Sequence, residues 1–231
     1  VCFVHGTGGS SAAWVHQLEG LADVARVIAV DLPGHGRSGG SIPKRIEDAA
    51  AIVADFLDAL GIARVVIGGH SMGGAIAQQF ALAYPERVEG VILVGTGARL
   101  RVLPRLLELL ASDYVKGVDL LMSLAVAAKA PAELRASLHR STADNGPGVV
   151  LGDLQACDRF DVMSRISTID APTLVICGEE DQLTPSKYAR FLGERIAGAS
   201  VAVIPGAGHY VQVEKARETT LAIREFLVGR R

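Results

Sequence analysis

The sequence predicts an α/β fold: a doubly wound, mainly parallel sheet with an inserted helical lid. Three observations predict it. Short runs rich in Val, Ile and Leu alternate with longer amphipathic runs, the pattern of strand–helix–strand units joined by right-handed crossovers. The strand runs are almost continuously apolar, as in parallel strands covered on both faces. One stretch of roughly 70 residues carries helical patterns alone, far longer than an ordinary connection.

In chain order the strands are expected at 1–5, 26–31, 64–69, 88–95, 172–178 and 201–205. The helices between them follow from spacing. Ile46, Ala49, Val53, Phe56 and Leu60 recur at intervals of three and four, with Pro43 near the start and Gly61 just past the end. Similar patterns run over 72–84, 185–196 and 213–227, and Ser10 and Ser11 are placed to cap a helix after the first strand. From 98 to 166 only leucine- and alanine-rich helical patches occur, interrupted by a loop at 142–148, "TADNGPG". The expected organisation is therefore a core of 1–97 and 167–231 with a lid of 98–166.

Composition narrows the function. Of 231 residues 49% are apolar and 21% charged, which suits one well-filled globular domain. A formal charge of −2 offers no field for nucleic acid or an acidic membrane surface. No apolar run approaches the roughly 18 residues of a membrane span. Cys2, Cys157 and Cys177 lack metal-ligand spacing, and Cys2 and Cys177 fall inside expected strands, where they read as small core residues. A reduced, cytoplasmic setting fits, although the chain opens inside a strand without a starting methionine, so that either its true N-terminus is missing or a processing step has removed it, and the absence of a signal sequence says little about location.

Gly69-His70-Ser71-Met72-Gly73 spells G-x-S-x-G, the pattern of a tight strand-to-helix turn that exposes a nucleophilic serine. Gly36-Arg37-Ser38-Gly39-Gly40 matches as well. Context separates the two. Ser71 follows an apolar strand and opens a helix, whereas Ser38 follows the turn Asp31-Leu32-Pro33-Gly34 and reads as a loop residue.

A serine hydroxyl needs a base to take its proton, and the base needs an orienting acid. Among six histidines, His70 adjoins the serine, His5 and His35 sit in Gly-containing turns, and His16 and His139 lie on helical patterns. His209 falls in the loop after the last strand, on the carboxyl edge that Ser71 shares. The strand "PTLVICG" runs into Glu179-Glu180-Asp181 at the same edge, which favours Asp181 as the acid, with Glu180 second. Acyl transfer also needs donors for the oxyanion. Met72 N–H, at the start of the helix, supplies one, and the loop "VHGTGGSS" supplies the other through Thr7 N–H, with Gly8 second.

These pieces resemble the serine α/β-hydrolase superfamily over nearly the whole chain: His5-Gly6-Thr7-Gly8, the run from Asp31 to Ser38, Gly69 to Gly74, Gly178 to Asp181, and Gly208-His209. They occur in that superfamily's order of nucleophile, acid and base. The resemblance implies structural roles for Arg37 and Ser38. It also implies a pair of antiparallel strands ahead of the His-Gly strand, and this sequence lacks them. Their loss would bare the edge of the 26–31 strand, favouring reduced stability or a homodimer.

The activity this implies is hydrolysis of a small-molecule carboxylic ester, with no metal and no organic cofactor. The serine disfavours relatives that use an aspartate nucleophile. Lactonase, carbon–carbon bond hydrolase and cofactor-free perhydrolase stand as alternatives on the same triad. The lid's Leu, Val, Met and Ala content suggests a mainly apolar substrate group, although any single one of these residues is better read as packing the lid onto the core. Arg99, Arg101 and Arg105 would suit a substrate carboxylate, or simply form a solvated face. Two readings come from other classes. Gly6-x-Gly8 with Asp31 resembles the opening of a dinucleotide-binding unit, but Ser11 stands at the third glycine position. A non-catalytic receptor on the same fold would bind a ligand without turning it over.

Overall fold

The computed structural model describes residues 1–229; residues 230 and 231, the end of the expected core segment, lie outside the described residues. Six strands form one sheet: β1 (Cys2–Val4), β2 (Ile28–Val30), β3 (Val65–His70), β4 (Val88–Val94), β5 (Thr173–Gly178) and β6 (Ser200–Ile204). Their order is β2-β1-β3-β4-β5-β6, and every neighbouring pair is parallel. The chain leaves β1 to one side for β2, then crosses back to β3 on the other. The carboxyl ends of β1 and β3 thus flank the topological switch point, where ligands bind in open α/β sheets.

Period-two alternation sorts the strand residues to two faces. Val91, Leu93, Val175 and Cys177 join one core cluster with α2 (Ile46–Ala59), α3 (Met72–Ala83) and α8 (Ser186–Arg195). Val66, Ile92, Val94, Leu174 and Ile176 join the other with Trp14, Val211 and Ile223, from the elements around α1 (Val15–Gly20), α9 (Val211–Glu214) and α10 (Ala216–Val228). Phe3 stacks on Trp14 with ring centroids 4.3 Å apart. Cys2, Cys157 and Cys177 are buried free thiols.

Between β4 and β5 come α4 (Pro104–Ser112), α5 (Tyr114–Ala125), α6 (Ala132–Ala143) and α7 (Pro147–Arg159). This insert has its own apolar centre, including Leu106, Leu110, Val118, Leu121, Val150 and Leu154. Its two ends are joined by an antiparallel bridge between Arg99 and Asp161.

Three local expectations differ from the structure. The loop expected at 142–148 is shorter, because α6 keeps Thr142 and Ala143 and α7 begins at Pro147, which fits a first helical turn where no N–H is needed. The single helix expected over 213–227 is two, broken at Lys215 (φ −132°, ψ 56°), just after Glu214 turns its carboxylate back to upstream N–H groups. Ser10 does not cap through its side chain, and Ser11 N–H donates to Asp31 Oδ1 at 2.6 Å. Among the described residues no helix is long and apolar enough to cross a membrane.

Candidate active site

Ser71 is the only non-glycine among the described residues with positive φ, at 54°. A conformation this sparsely populated costs on the order of 1–3 kcal/mol and persists only when its surroundings enforce it. They do so here. Ser71 N–H donates to Val94 O at 2.9 Å, and Ser71 O accepts from Thr96 Oγ1 at 2.9 Å and Ala75 N–H at 3.1 Å. The flanking glycines allow the turn to close. A Cβ on Gly69 would lie 2.7 Å from Gly74 N and still nearer the Gly73 carbonyl, and one on Gly73 would lie 2.6 Å from His5 O.

His209 is buried on the loop after β6, and its Nδ1 lies 2.8 Å from Asp181 Oδ2. The same carboxylate accepts from Leu183 N–H (2.9 Å), Thr184 N–H (2.8 Å) and Thr184 Oγ1 (2.7 Å). Burial raises the Asp181 pKa, but the His209 charge and these hydrogen bonds outweigh it and bring it down to about 2. An ionised Asp181 makes Nδ1 the proton-bearing ring nitrogen of His209 and leaves Nε2 free to accept a proton. Glu180 does not take this place; the contact to His209 is made by Asp181. His209 N–H donates to Ala125 O at 2.6 Å and His209 O accepts from His70 Nε2 at 2.9 Å, so the backbone of His209 is held on both sides.

Ser71, His209 and Thr7 line one cavity of about 280 Å³. Ser71 Oγ itself makes no hydrogen bond among the described residues. The N–H groups of Thr7 and Met72 likewise donate to nothing in the described chain. Gly8, the second choice for the oxyanion, is excluded, because its N–H donates to Asp153 Oδ2 at 2.9 Å. The insert supplies the apolar wall through Leu100, Val102, Leu103, Leu106, Leu121 and Leu154. Arg99, Arg101 and Lys187 also line the cavity, whereas Arg105 does not and instead sits 3.8 Å from Glu108.

The other histidines have structural surroundings. Burial pushes His5 down to about 4 and His70 down to about 3, the His209 charge adding to the second. Ser38 Oγ donates to Asp31 O, and the Asp31 carboxylate accepts from Ser11 and Arg37 N–H groups, which closes the turn and removes the acid a dinucleotide ribose would need. Sequence reasoning missed Thr184, which doubles the hydrogen bonds to Asp181, and Glu214, whose carboxylate accepts from Gly208, Tyr210 and Ala127 N–H groups around His209. It missed Asp153 too, a buried carboxylate on a helix with no local motif.

Residues 1–216 match the family model of the alpha/beta hydrolase fold. The chain belongs to that family. This α/β hydrolase is 38% identical to a thermophilic esterase of known structure, with a TM-score of 0.89 over 99% of this chain and 89% of the other. It is 33% identical to Est816, an N-acyl homoserine lactone degrading enzyme, with a TM-score of 0.87 over 97% and 92% of the two chains. It is also 31% identical to the dihydrolipoyllysine-residue acetyltransferase component of the acetoin cleaving system of Cupriavidus necator, over 99% of this chain but 63% of that protein. The family and the esterase and lactone-degrading neighbours make this α/β hydrolase a hydrolytic enzyme.

Proposed function

We propose that this hydrolase cleaves carboxylic esters of small to medium, mainly apolar substrates through an acyl-enzyme. The observation that carries the reading is one cavity shared by a serine held at φ 54° and a histidine tied to a buried carboxylate. Asp181 holds His209 in the tautomer with Nδ1–H. His209 Nε2 takes the Ser71 proton as Oγ attacks the ester carbonyl, and the Thr7 and Met72 N–H groups stabilise the oxyanion. The tetrahedral intermediate collapses as His209 protonates the leaving alcohol. Water then enters, His209 takes its proton, and a second collapse releases the acid and restores Ser71.

The insert acts as a lid over this centre, and its leucines favour an apolar acyl or alcohol group. A cavity of about 280 Å³ stands at the small end of ligand pockets, which run about 300–1,000 Å³, and so favours short chains. A second reading has its own support. Arg99 and Arg101 beside the cavity suit a lactone or a carbon–carbon bond substrate bearing a carboxylate.

The test is hydrolysis of p-nitrophenyl esters from acetate to palmitate by wild type and Ser71→Ala. The proposal expects a short-chain optimum and a loss of several orders of magnitude in the variant. Equal inertness of both proteins towards neutral esters, with turnover of carboxylate-bearing lactones or ring-cleavage products, would move the assignment to the second reading. Ligand binding with no turnover would make the protein a receptor.

A further inference from the structure

We propose that the insert sets the position of the oxyanion loop through Asp153 and Asn145, which makes both of them positioning residues for the hydrolysis proposed above. The inference rests on that reading and on hydrogen bonds that the triad does not use. Gly8 N–H donates to Asp153 Oδ2 at 2.9 Å, and Gly8 O accepts from Asn145 Nδ2 at 2.7 Å. Both polar groups of one loop residue are thus held by residues of the insert, 145 and 137 positions away along the chain. The joint is also tightly packed. Gly8 sits at φ +55°, and a Cβ there would lie 3.0 Å from Val150 Cγ2 on α7.

The consequence falls on Thr7. Its N–H belongs to the Gly6–Thr7 peptide, whose carbonyl accepts from His5 Nδ1 at 2.8 Å and Gly9 N–H at 3.0 Å. The next peptide, Thr7–Gly8, carries the N–H held by Asp153. Thr7 therefore lies between two fixed peptide planes, one anchored by the core and the other by the insert. Releasing the second frees ψ of Thr7 and the loop beyond it.

Asp153 is built for a directed contact. Its carboxylate is buried, and Oδ2 also lies 2.9 Å from His35 Nε2. His35 Nδ1 faces Pro33 O at 3.1 Å, and a carbonyl can only accept, so that nitrogen carries a proton. Burial opposes a charge on His35, but the Asp153 hydrogen bond and charge raise its pKa above the ordinary histidine value, which favours a proton on Nε2 as well and a hydrogen bond donated from Nε2 to Oδ2. His5, 4.7 Å away between ring centroids, is neutral by the same reasoning, since its Nε2 accepts from Leu32 N–H. An apolar contact would hold α7 to the core with less desolvation. What the ion pair adds is an oriented acceptor for Gly8.

The experiment compares full-length wild type, Ser71→Ala, Asp153→Ala and Asn145→Ala. It measures kcat and KM on p-nitrophenyl butyrate and Ki for an aryl trifluoromethyl ketone, whose serine adduct carries the oxyanion. Asp153 is buried and its replacement risks the fold, so Asn145→Ala, in a half-buried turn, runs in parallel. A misplaced donor costs about ten- to a hundredfold in kcat for Asp153→Ala, which removes the acceptor, and about threefold to tenfold for Asn145→Ala, with KM within about twofold. Ki rises in the same ratio, because the ketone adduct needs the same donor. A purely structural role lowers kcat by reducing the folded fraction and leaves Ki unchanged, and that result would overturn the inference. So would cooperative unfolding with both constants unaltered. A wild type as inert as Ser71→Ala would instead sink the hydrolytic reading, and the inference with it.

Discussion

Replacing Gly69 with alanine tests whether the turn at Ser71 is sterically obligatory. The added Cβ would lie 2.7 Å from Gly74 N and nearer still to the Gly73 carbonyl, below the 3.0 Å that real Cβ atoms keep from other heavy atoms. All of these atoms are backbone at the first turn of α3, so no side-chain rotation relieves the overlap. Overpacking relieved by side-chain movement costs about 1–3 kcal/mol, so a backbone clash is expected to cost about 3–4 kcal/mol. At about 2–4 °C per kcal/mol for a chain of this size, Tm falls by about 6–16 °C. Two glycines calibrate the scale. Gly148, inside α7, has open space around its Cβ position, and Gly148→Ala gains up to about 1 kcal/mol from helix propensity. Gly61 also has open space but sits at φ +67°, so Gly61→Ala loses about 1 kcal/mol. Thermal unfolding followed by circular dichroism, with ester turnover at 25 °C, reads all three. The reasoning is refuted if Gly69→Ala melts within about 2 °C of wild type and turns over substrate at the same rate.

Three further outcomes follow from the site. Acid should destabilise the fold below pH 6.5. His5 and His70 are neutral in the folded chain, at about 4 and about 3, so only the unfolded chain takes up protons there, and together they remove about 4 kcal/mol by pH 5, which the raised pKa of His35, favouring the folded chain as pH falls, offsets only in part. Urea midpoints that stay level from pH 7 to pH 5 would contradict this. Asp181→Asn removes the charge that selects the His209 tautomer, and kcat should fall roughly 10³–10⁴-fold with the fold intact; a loss under about tenfold would take the acid's role from Asp181. Glu214→Gln keeps one acceptor for the Gly208 and Ala127 N–H groups but turns its NH2 towards the Tyr210 N–H, which should cost about 2 kcal/mol and lower kcat several-fold. An unchanged melting curve would show that the clamp around His209 contributes nothing.

The sheet was legible because its signal is local and repeated. Each buried strand is a short apolar run with punctuation at its ends, and each amphipathic helix repeats its spacing over several turns. The positions of Ser71, Asp181 and His209 were legible for a related reason: a parallel sheet brings the loops after its strands to one edge, so strand order alone gathers them. The break at Lys215 was not, because it follows from the Glu214 carboxylate turning back to Gly208 and Tyr210 rather than from any helix-breaking residue. Asp153 was hidden for the same physical reason. On α7 it reads as one polar residue in a helical pattern, and its partners, Gly8 and His35, come from loops more than a hundred positions earlier. Helix and strand periods report what a residue's neighbours in sequence do. They carry no signal for a buried acceptor whose donors arrive from elsewhere.

The central claim is that Ser71 forms the acyl-enzyme with His209 as its base. The most direct measurement is covalent trapping with a fluorophosphonate ester, followed by peptide mass spectrometry, on wild type, Ser71→Ala and His209→Ala. The account predicts one phosphonyl group per chain on the peptide containing Ser71, none on Ser71→Ala, and labelling slowed by orders of magnitude in His209→Ala. Labelling that persists in Ser71→Ala, or a wild type that stays unlabelled while hydrolysing ester, would contradict it.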